Sequence, residues 1–249
     1  GDLEVLQLLS STSAKIAQGE VLQLQHKGEA DLLEETYIDI INLKTAALFS
    51  AATKTGACIS GSNEKEKKAL ESYGRNLGLA FQIADDALDY YAKEKFFGKE
   101  IGKDFFEGKV TLPLITIFQK GNEEEKEFLT EIMKKEKRTE DDFSETLALI
   151  FKYKTVETSL KKAEYFVNVS YDALAIFPES EDKKILQRLT SFSLNRSSSE
   201  DDLGALLGHA INGGFANAIR AASNQGHFAL QSICHDGSPE PYRRAHNPV

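Results

Sequence analysis

The sequence predicts an all-α fold. Apolar residues recur at helical spacing in successive blocks, short polar breaks separate the blocks, and no stretch shows the strict alternation of a half-buried strand. The first block runs from Asp2 to about Gln25, where Leu3, Leu6, Leu9, Ile16, Val21 and Leu24 mark a helix without proline. The HKGEA stretch from His26 to Ala30 breaks it, and a second helix is expected from about Leu33 to Ile59, with Gly56 near its end. The GSN stretch at 61–63 is a turn, and the charged run at 64–68 opens a third helix that ends near Tyr91. The segment from Lys93 to Lys109, rich in glycine and lysine, reads as a loop. Pro113 fits the first turn of a further helix with an apolar body, LPLITIF. GNEEE at 121–125 starts another, and helical patterns follow at about 141–152, 155–174 and 182–192. The composition shifts after Arg196: the SSSEDD stretch reads as a linker, with weak helices expected near 202–231 and disorder beyond 236.

With 249 residues and 41% hydrophobic content, the chain is long enough for one sizeable core. Its formal charge of −9 disfavours nucleic acid or an anionic membrane as partner, since both need a basic surface. No apolar run reaches the roughly 18–20 residues of a membrane span. Cys58 and Cys234 are too few and too far apart for a disulfide framework. The start lacks the basic and apolar regions of a signal peptide. A soluble, cytoplasmic protein without stable membrane insertion is the expectation. Cys234-His235-Asp236 is not read as a zinc site or a nucleophile, because adjacent residues make poor tetrahedral ligands and no spaced partner pair exists.

The chemistry concentrates between Tyr73 and Tyr91. Asp85, Asp86 and Asp89 sit among Leu77, Leu79, Ala80, Phe81, Ile83, Ala84, Ala87 and Leu88. A helix apolar on nearly every face is expected to be buried, and a buried carboxylate is costly unless paired, hydrogen-bonded or metal-bound. Asp85 and Asp89 share a helical face, with Asp86 flanking it. Oxygen donors of this type suit a hard cation such as Mg²⁺, which keeps several waters and prefers a shared phosphate ligand. Gln82 lies one turn before Asp85 and could orient a metal-bound water or a phosphate oxygen. The following loop carries three Gly-Lys pairs, Gly98-Lys99, Gly102-Lys103 and Gly108-Lys109. Glycine admits close backbone approach to a phosphate and lysine supplies a mobile charge, so the loop could close over a metal-bound diphosphate. Lys44 and Thr45 lie in mid-helix among Ile40, Ile41, Leu43, Ala46, Ala47, Leu48 and Phe49. The lysine must snorkel, pair or face a polar cavity, and a diphosphate oxygen is one partner open to it and an aspartate another. Glu20 and Gln23 are likewise polar residues in an apolar helix, suited equally to a structural hydrogen bond or a substrate role.

GEVLQL (19–24), LKTAALF (43–49), GLAFQIADDALDY (78–90) and GKEIGKDFFEGKVTLP (98–113), in this order and spacing, resemble the trans-isoprenyl diphosphate synthase, or polyprenyl synthetase, family. Within it they look most like the bacterial long-chain octaprenyl and decaprenyl type. The resemblance implies a helical bundle around a central cavity, usually a homodimer, that elongates prenyl chains in isoprenoid (quinone side-chain) biosynthesis. It implies Mg²⁺-dependent head-to-tail condensation of isopentenyl diphosphate onto an allylic diphosphate. By motif match, Asp85, Asp86 and Asp89 are metal ligands, Lys44 and Asp85 are catalytic, and Lys44, Thr45, Gln82, Lys99 and Lys109 contact the allylic diphosphate. Lys103 falls at a variable position of the motif. The family's first aspartate-rich motif, the arginine pair after it and the upstream basic residues have no counterpart here. The expectation is therefore an N-terminally truncated bundle, with residues 1–196 the C-terminal two-thirds of the synthase domain and 197–249 a linker and unrelated tail. The alternative is a non-catalytic subunit or diphosphate-binding fragment that needs a complete partner.

Overall fold

The computed structural model describes residues 2–90 and 101–194. The linker and tail expectations from residue 197 onward, Cys234, and the part of the glycine-lysine loop that holds Gly98 and Lys99 lie outside them. Among the described residues every regular element is helical. The order is α1 (Leu3–Gln25), α2 (Glu34–Ile41), a π-turn (Asn42–Ala46), α3 (Ala47–Ile59), α4 (Glu64–Leu88), α5 (Lys103–Glu107), α6 (Leu112–Lys120), α7 (Glu123–Lys134), α8 (Glu140–Tyr153), α9 (Thr155–Ala173), a 3₁₀ turn (Leu174–Ile176) and α10 (Glu181–Leu194).

Local chemistry starts most of these helices where the sequence places them. Asp2 caps α1 by accepting from the amides of Glu4 and Val5. Asn63 and Glu66 form a reciprocal capping box at the head of α4, and Asn122 with Glu125 and Thr139 with Asp142 repeat it at α7 and α8. Pro113 sits in the first turn of α6, whose Leu114, Ile115 and Ile117 are almost wholly buried.

Two expectations change. The helix expected from Leu33 to Ile59 is interrupted by a π-turn at Asn42–Ala46, which carries Lys44 and Thr45. The expected loop at 93–109 includes a short helix, α5, in its described part. Gly102 (φ 77°) and Gly108 (φ 79°) bracket it in the left-handed conformation that side chains resist. Phe105 is fully buried, and its ring packs against Phe106 and Phe143 at centroid distances of 5.5 and 5.3 Å, pinning the segment to α8.

The central helix is α4, which packs against α3, α9, the π-turn, α6 and α10. Its exposed first turns are charged, and Lys67 reaches back to Glu4 on α1 at 2.8 Å. From Tyr73 onward it is interior on most faces. The main core joins Tyr37 and Ile40 of α2, Ile83 and Ala87 of α4, Leu114 and Ile117 of α6, Met133 of α7, Ile150 of α8 and Ala163 of α9. A smaller cluster around Tyr73, Leu77 and Leu174 holds the C-terminal helices. There the Tyr73 hydroxyl donates to the Leu186 carbonyl at 2.9 Å, and Ser170 donates to the Tyr73 carbonyl at 3.0 Å. Cys58 is buried with a free thiol, and no described helix is long and apolar enough to cross a membrane.

α1 is covered on one side only. It lies along α3, the π-turn and α2 and buries just Thr12 and Gly19, while Leu3, Leu6, Leu9, Val21 and Leu24 remain exposed.

Glu125 joins two helices. It caps α7 and also takes Lys152 at 2.5 Å and the Tyr153 hydroxyl at 2.6 Å from α8. Hydrogen bonds from Lys152, Tyr153 and the Asn122 amide pull its pKa down to about 2 from 4.5. A depressed carboxylate contributes stability that is complete above its unfolded pKa and lost as pH falls through its folded one. The melting-temperature advantage of the wild type over Glu125→Gln should therefore be full above pH 4.5 and vanish as pH approaches 2. Thermal melts of both proteins across that window check it; a pH-independent difference would exclude the linkage.

Candidate active site

Four elements meet at the C-terminal end of α4: the π-turn beside it, α2 behind it, α1 across the π-turn, and the α5 segment beyond it. Two glycines make the approach possible. A Cβ on Gly19 of α1 would stand 2.6 Å from the backbone nitrogen of Lys44, and one on Gly78 of α4 would stand 2.7 Å from the Cα of Ala46. The π-turn is thus gripped between the bare backbones of two helices, which explains why the stretches GEVLQL and GLAFQIADDALDY each begin with glycine. A π-turn inserts an extra residue into the helical register and commonly marks a functional position.

Three hydrogen-bond groups result. In the first, the Tyr37 hydroxyl of α2 donates to Asp86 at 2.7 Å, the Gln82 amide nitrogen donates to the other Asp86 oxygen at 2.8 Å, and Thr45 donates to the Gln82 amide oxygen at 2.8 Å. In the second, Lys44 donates to Glu20 at 3.0 Å and to Gln23 at 2.8 Å, both on α1. The sequence offers an aspartate or a diphosphate oxygen as partner of Lys44; the structure pairs it with a glutamate and a glutamine of α1. In the third, the Asp104 amide donates to the Asp89 carboxylate at 3.0 Å, and the Asp104 carboxylate receives Lys109 at 2.8 Å. Lys109 also pairs with Glu107 at 2.7 Å. Lys103 is mostly exposed and only loosely paired with Glu107 at 3.7 Å.

The aspartates differ in setting. Asp86 is 5% exposed, whereas Asp85 and Asp89 are half-buried. Burial pushes the Asp86 carboxyl up to about 7, the charges of Asp104 and Asp85 add to the rise, and the hydrogen bonds from Tyr37 and Gln82 restrain it. Burial, then the charge of Asp86, drives the Tyr37 phenol well above its usual value. Burial disfavours the charge on Lys109, but its hydrogen bonds with Asp104 and Glu107 outweigh that and raise its pKa.

Asp104 and Tyr37 are members of this site that sequence reading passes over. Asp104 looks like one more charge in a polar loop, and Tyr37 like one more core aromatic. The repeated i, i+4 spacing of Gln82 and Asp86 could have signalled their bond.

Electrostatically the end of α4 is rich in carboxylates. Asp85, Asp86 and Asp89 occupy the carbonyl end of a 25-residue helix with no basic residue in its last turn, and Asp104 adds a fourth carboxylate. Helix dipole and like charges both oppose this arrangement, and a divalent cation would relieve both. Among the described residues no three His, Cys, Asp or Glu side chains converge closely enough to hold an ion by themselves. Half-buried carboxylate oxygens such as those of Asp85 and Asp89 are the donor type that suits a hard divalent cation. A separate groove of about 430 Å³ between α2, α6 and α9, lined in part by Glu34, Thr116, Lys120, Lys161 and Lys162, includes none of the aspartates.

The polyprenyl synthetase family model matches residues 1–150, which contain the whole of this arrangement. The chain belongs to that family. Over 195 residues, 78% of this chain and 59% of the relative, it is 35% identical to an octaprenyl diphosphate synthase of Haemophilus influenzae. The crystal structure of a decaprenyl diphosphate synthase from Rhodobacter capsulatus superposes with a TM-score of 0.75 at 37% identity, covering 80% of this chain and 61% of that one. That of a polyprenyl synthase from Caulobacter crescentus, complexed with calcium and isoprenyl diphosphate, has a TM-score of 0.75 at 38% identity, covering 78% and 60%. The chain thus spans about 60% of the length of these relatives.

In this polyprenyl synthetase family member, Gly78→Ala should push the π-turn off α4 and cost about 1–3 kcal/mol, the usual range for overpacking a tight contact. Denaturant unfolding measures the loss. A variant as stable as the wild type would mean that the two backbones do not meet this closely.

Proposed function

We propose that the chain works as a polyprenyl diphosphate synthase, in a Mg²⁺-dependent head-to-tail condensation of isopentenyl diphosphate onto an allylic diphosphate. One observation carries the reading. The π-turn bearing Lys44 and Thr45 is hydrogen-bonded to the aspartate-bearing end of α4, and the same end is bonded to the segment that delivers Lys109. Cationic and anionic groups are thereby gathered around one helix terminus, as ionisation of an allylic diphosphate requires.

In this reaction the allylic C–O bond breaks with its electron pair leaving on the diphosphate. The isopentenyl double bond attacks the allylic carbon, and a proton is lost. Magnesium, when bound, supplies charge neutralisation for the departing diphosphate. Asp85, Asp86 and Asp89 form the motif that would hold it, with Asp85 making the most direct contact. Lys44, Thr45, Gln82, Lys99 and Lys109 would hold the allylic diphosphate. In the structure Lys44 is held by Glu20 and Gln23, and Lys109 by Asp104 and Glu107. These partners hold both lysines in place until a diphosphate competes for them. Action in the cytoplasm, and assembly as a homodimer, belong to the same proposal.

A second reading is favoured by the leucine-rich open face of α1: the chain is a subunit or diphosphate-binding fragment that packs against a complete partner, its exposed stripe covered by that partner.

Asp85→Ala should weaken Mg²⁺-dependent binding of an allylic diphosphate by at least about tenfold, or ~1.4 kcal/mol. Calorimetry on both proteins tests this, and equal affinities would remove the site assignment. Incorporation of radiolabelled isopentenyl diphosphate separates the two readings. Product from this chain alone supports the first, and product only after adding a complete synthase subunit supports the second.

A further inference from the structure

Asp86 stands apart from the other two aspartates of its motif. It is nearly sealed from solvent, and each of its oxygens already accepts a hydrogen bond from a named donor, the Tyr37 hydroxyl on one side and the Gln82 amide on the other. We propose that Tyr37 and Asp86 are positioning residues, which fix the orientation of Gln82 and Thr45 and so hold the Lys44 π-turn in its binding-competent form. The inference rests on the proposed diphosphate site and assigns these two residues a role within it.

The argument is one of hydrogen-bond polarity. Both Asp86 oxygens accept in the structure, one from the Tyr37 hydroxyl and one from the Gln82 amide nitrogen. Gln82 must therefore turn its nitrogen toward Asp86, which leaves its oxygen facing Thr45. That oxygen in turn only accepts, so Thr45 must donate to it. One buried carboxylate thus sets the direction of each bond in the chain Tyr37–Asp86–Gln82–Thr45. The Tyr37 hydroxyl supplies the second donor that keeps this carboxylate tolerable in the interior. The tie matters because of where it acts: Arg75 of α4 donates to Asn42 at the start of the π-turn and Lys44 reaches α1, while the Thr45–Gln82 bond links the body of the turn to the aspartate-bearing half of α4.

The chain makes Tyr37 felt at Thr45 although no hydrogen bond joins them directly. Residues in one hydrogen-bond network couple, whereas independent sites add. The test is calorimetric binding of inorganic pyrophosphate in the presence of Mg²⁺ to the full chain, to Tyr37→Phe, to Thr45→Val and to the double variant, each checked for folding by circular dichroism and thermal melting. Tyr37→Phe is expected to weaken binding about fivefold to tenfold, and the double variant to bind no worse than the weaker single variant, as coupled sites do. Fold-losses that simply multiply in the double variant would overturn the proposal, as would a Tyr37→Phe protein that binds like the wild type. A loss of packing alone would lower the melting temperature without this coupling. If Tyr37→Phe does not fold, Asp86→Asn replaces it; that change keeps the side chain's size but removes the demand for two donors, and the same coupling to Thr45→Val is expected, with multiplying losses again overturning the proposal. Absence of any Mg²⁺-dependent binding by the wild type would overturn the diphosphate reading and this proposal together, whereas wild-type binding with uncoupled variants overturns this proposal alone.

Discussion

A carboxylate placed in the interior governs this molecule. Asp86 lies near the end of α4, where water barely reaches it, and its neighbours are arranged around its need for donors. Tyr37 approaches from α2 and Gln82 from one turn earlier on the same helix. The desolvation cost is several kcal/mol for an unpaired group. Met by two donors, it becomes a constraint that locks α2, α4 and the π-turn in register. The glycines at 19 and 78 let the backbones come close enough for that register to form.

The acidic end of α4 and the lysines around it are organised separately before any ligand enters. Lys44 is satisfied by α1, and Lys109 by the α5 segment. Asp89 is tied to that segment through the Asp104 amide, and the buried phenylalanines of α5 and α8 anchor it in the core. The site is therefore preorganised in pieces, each with its own counter-charge, which lowers the cost of presenting several like charges to one ligand. The cluster of carboxylates at the C-terminal end of α4 suits a cation brought with the substrate.

Much of this was legible in the sequence. The capping boxes at Asn63, Asn122 and Thr139 and the proline at 113 set helix starts by local chemistry, so their positions could be read directly. The aspartates declared themselves by sitting in an apolar run. The π-turn did not, because it is a change of hydrogen-bond register with no glycine or proline to mark it; residues 42–46 look like uninterrupted helix. α5 was hidden because five residues are too few to show a period, and its two flanking glycines suggested loop. Tyr37 and Asp104 owe their roles to partners 49 and 15 residues away in sequence, a relation that spacing within one element does not reveal.

The most direct measurement is a crystal structure of the chain soaked with Mg²⁺ and pyrophosphate. The expected result is a cation beside Asp85 and Asp89, with the anion in hydrogen-bond reach of the Lys44 and Lys109 ammonium groups. Pyrophosphate bound elsewhere, with Lys44 still on Glu20 and no cation at the end of α4, would contradict the account.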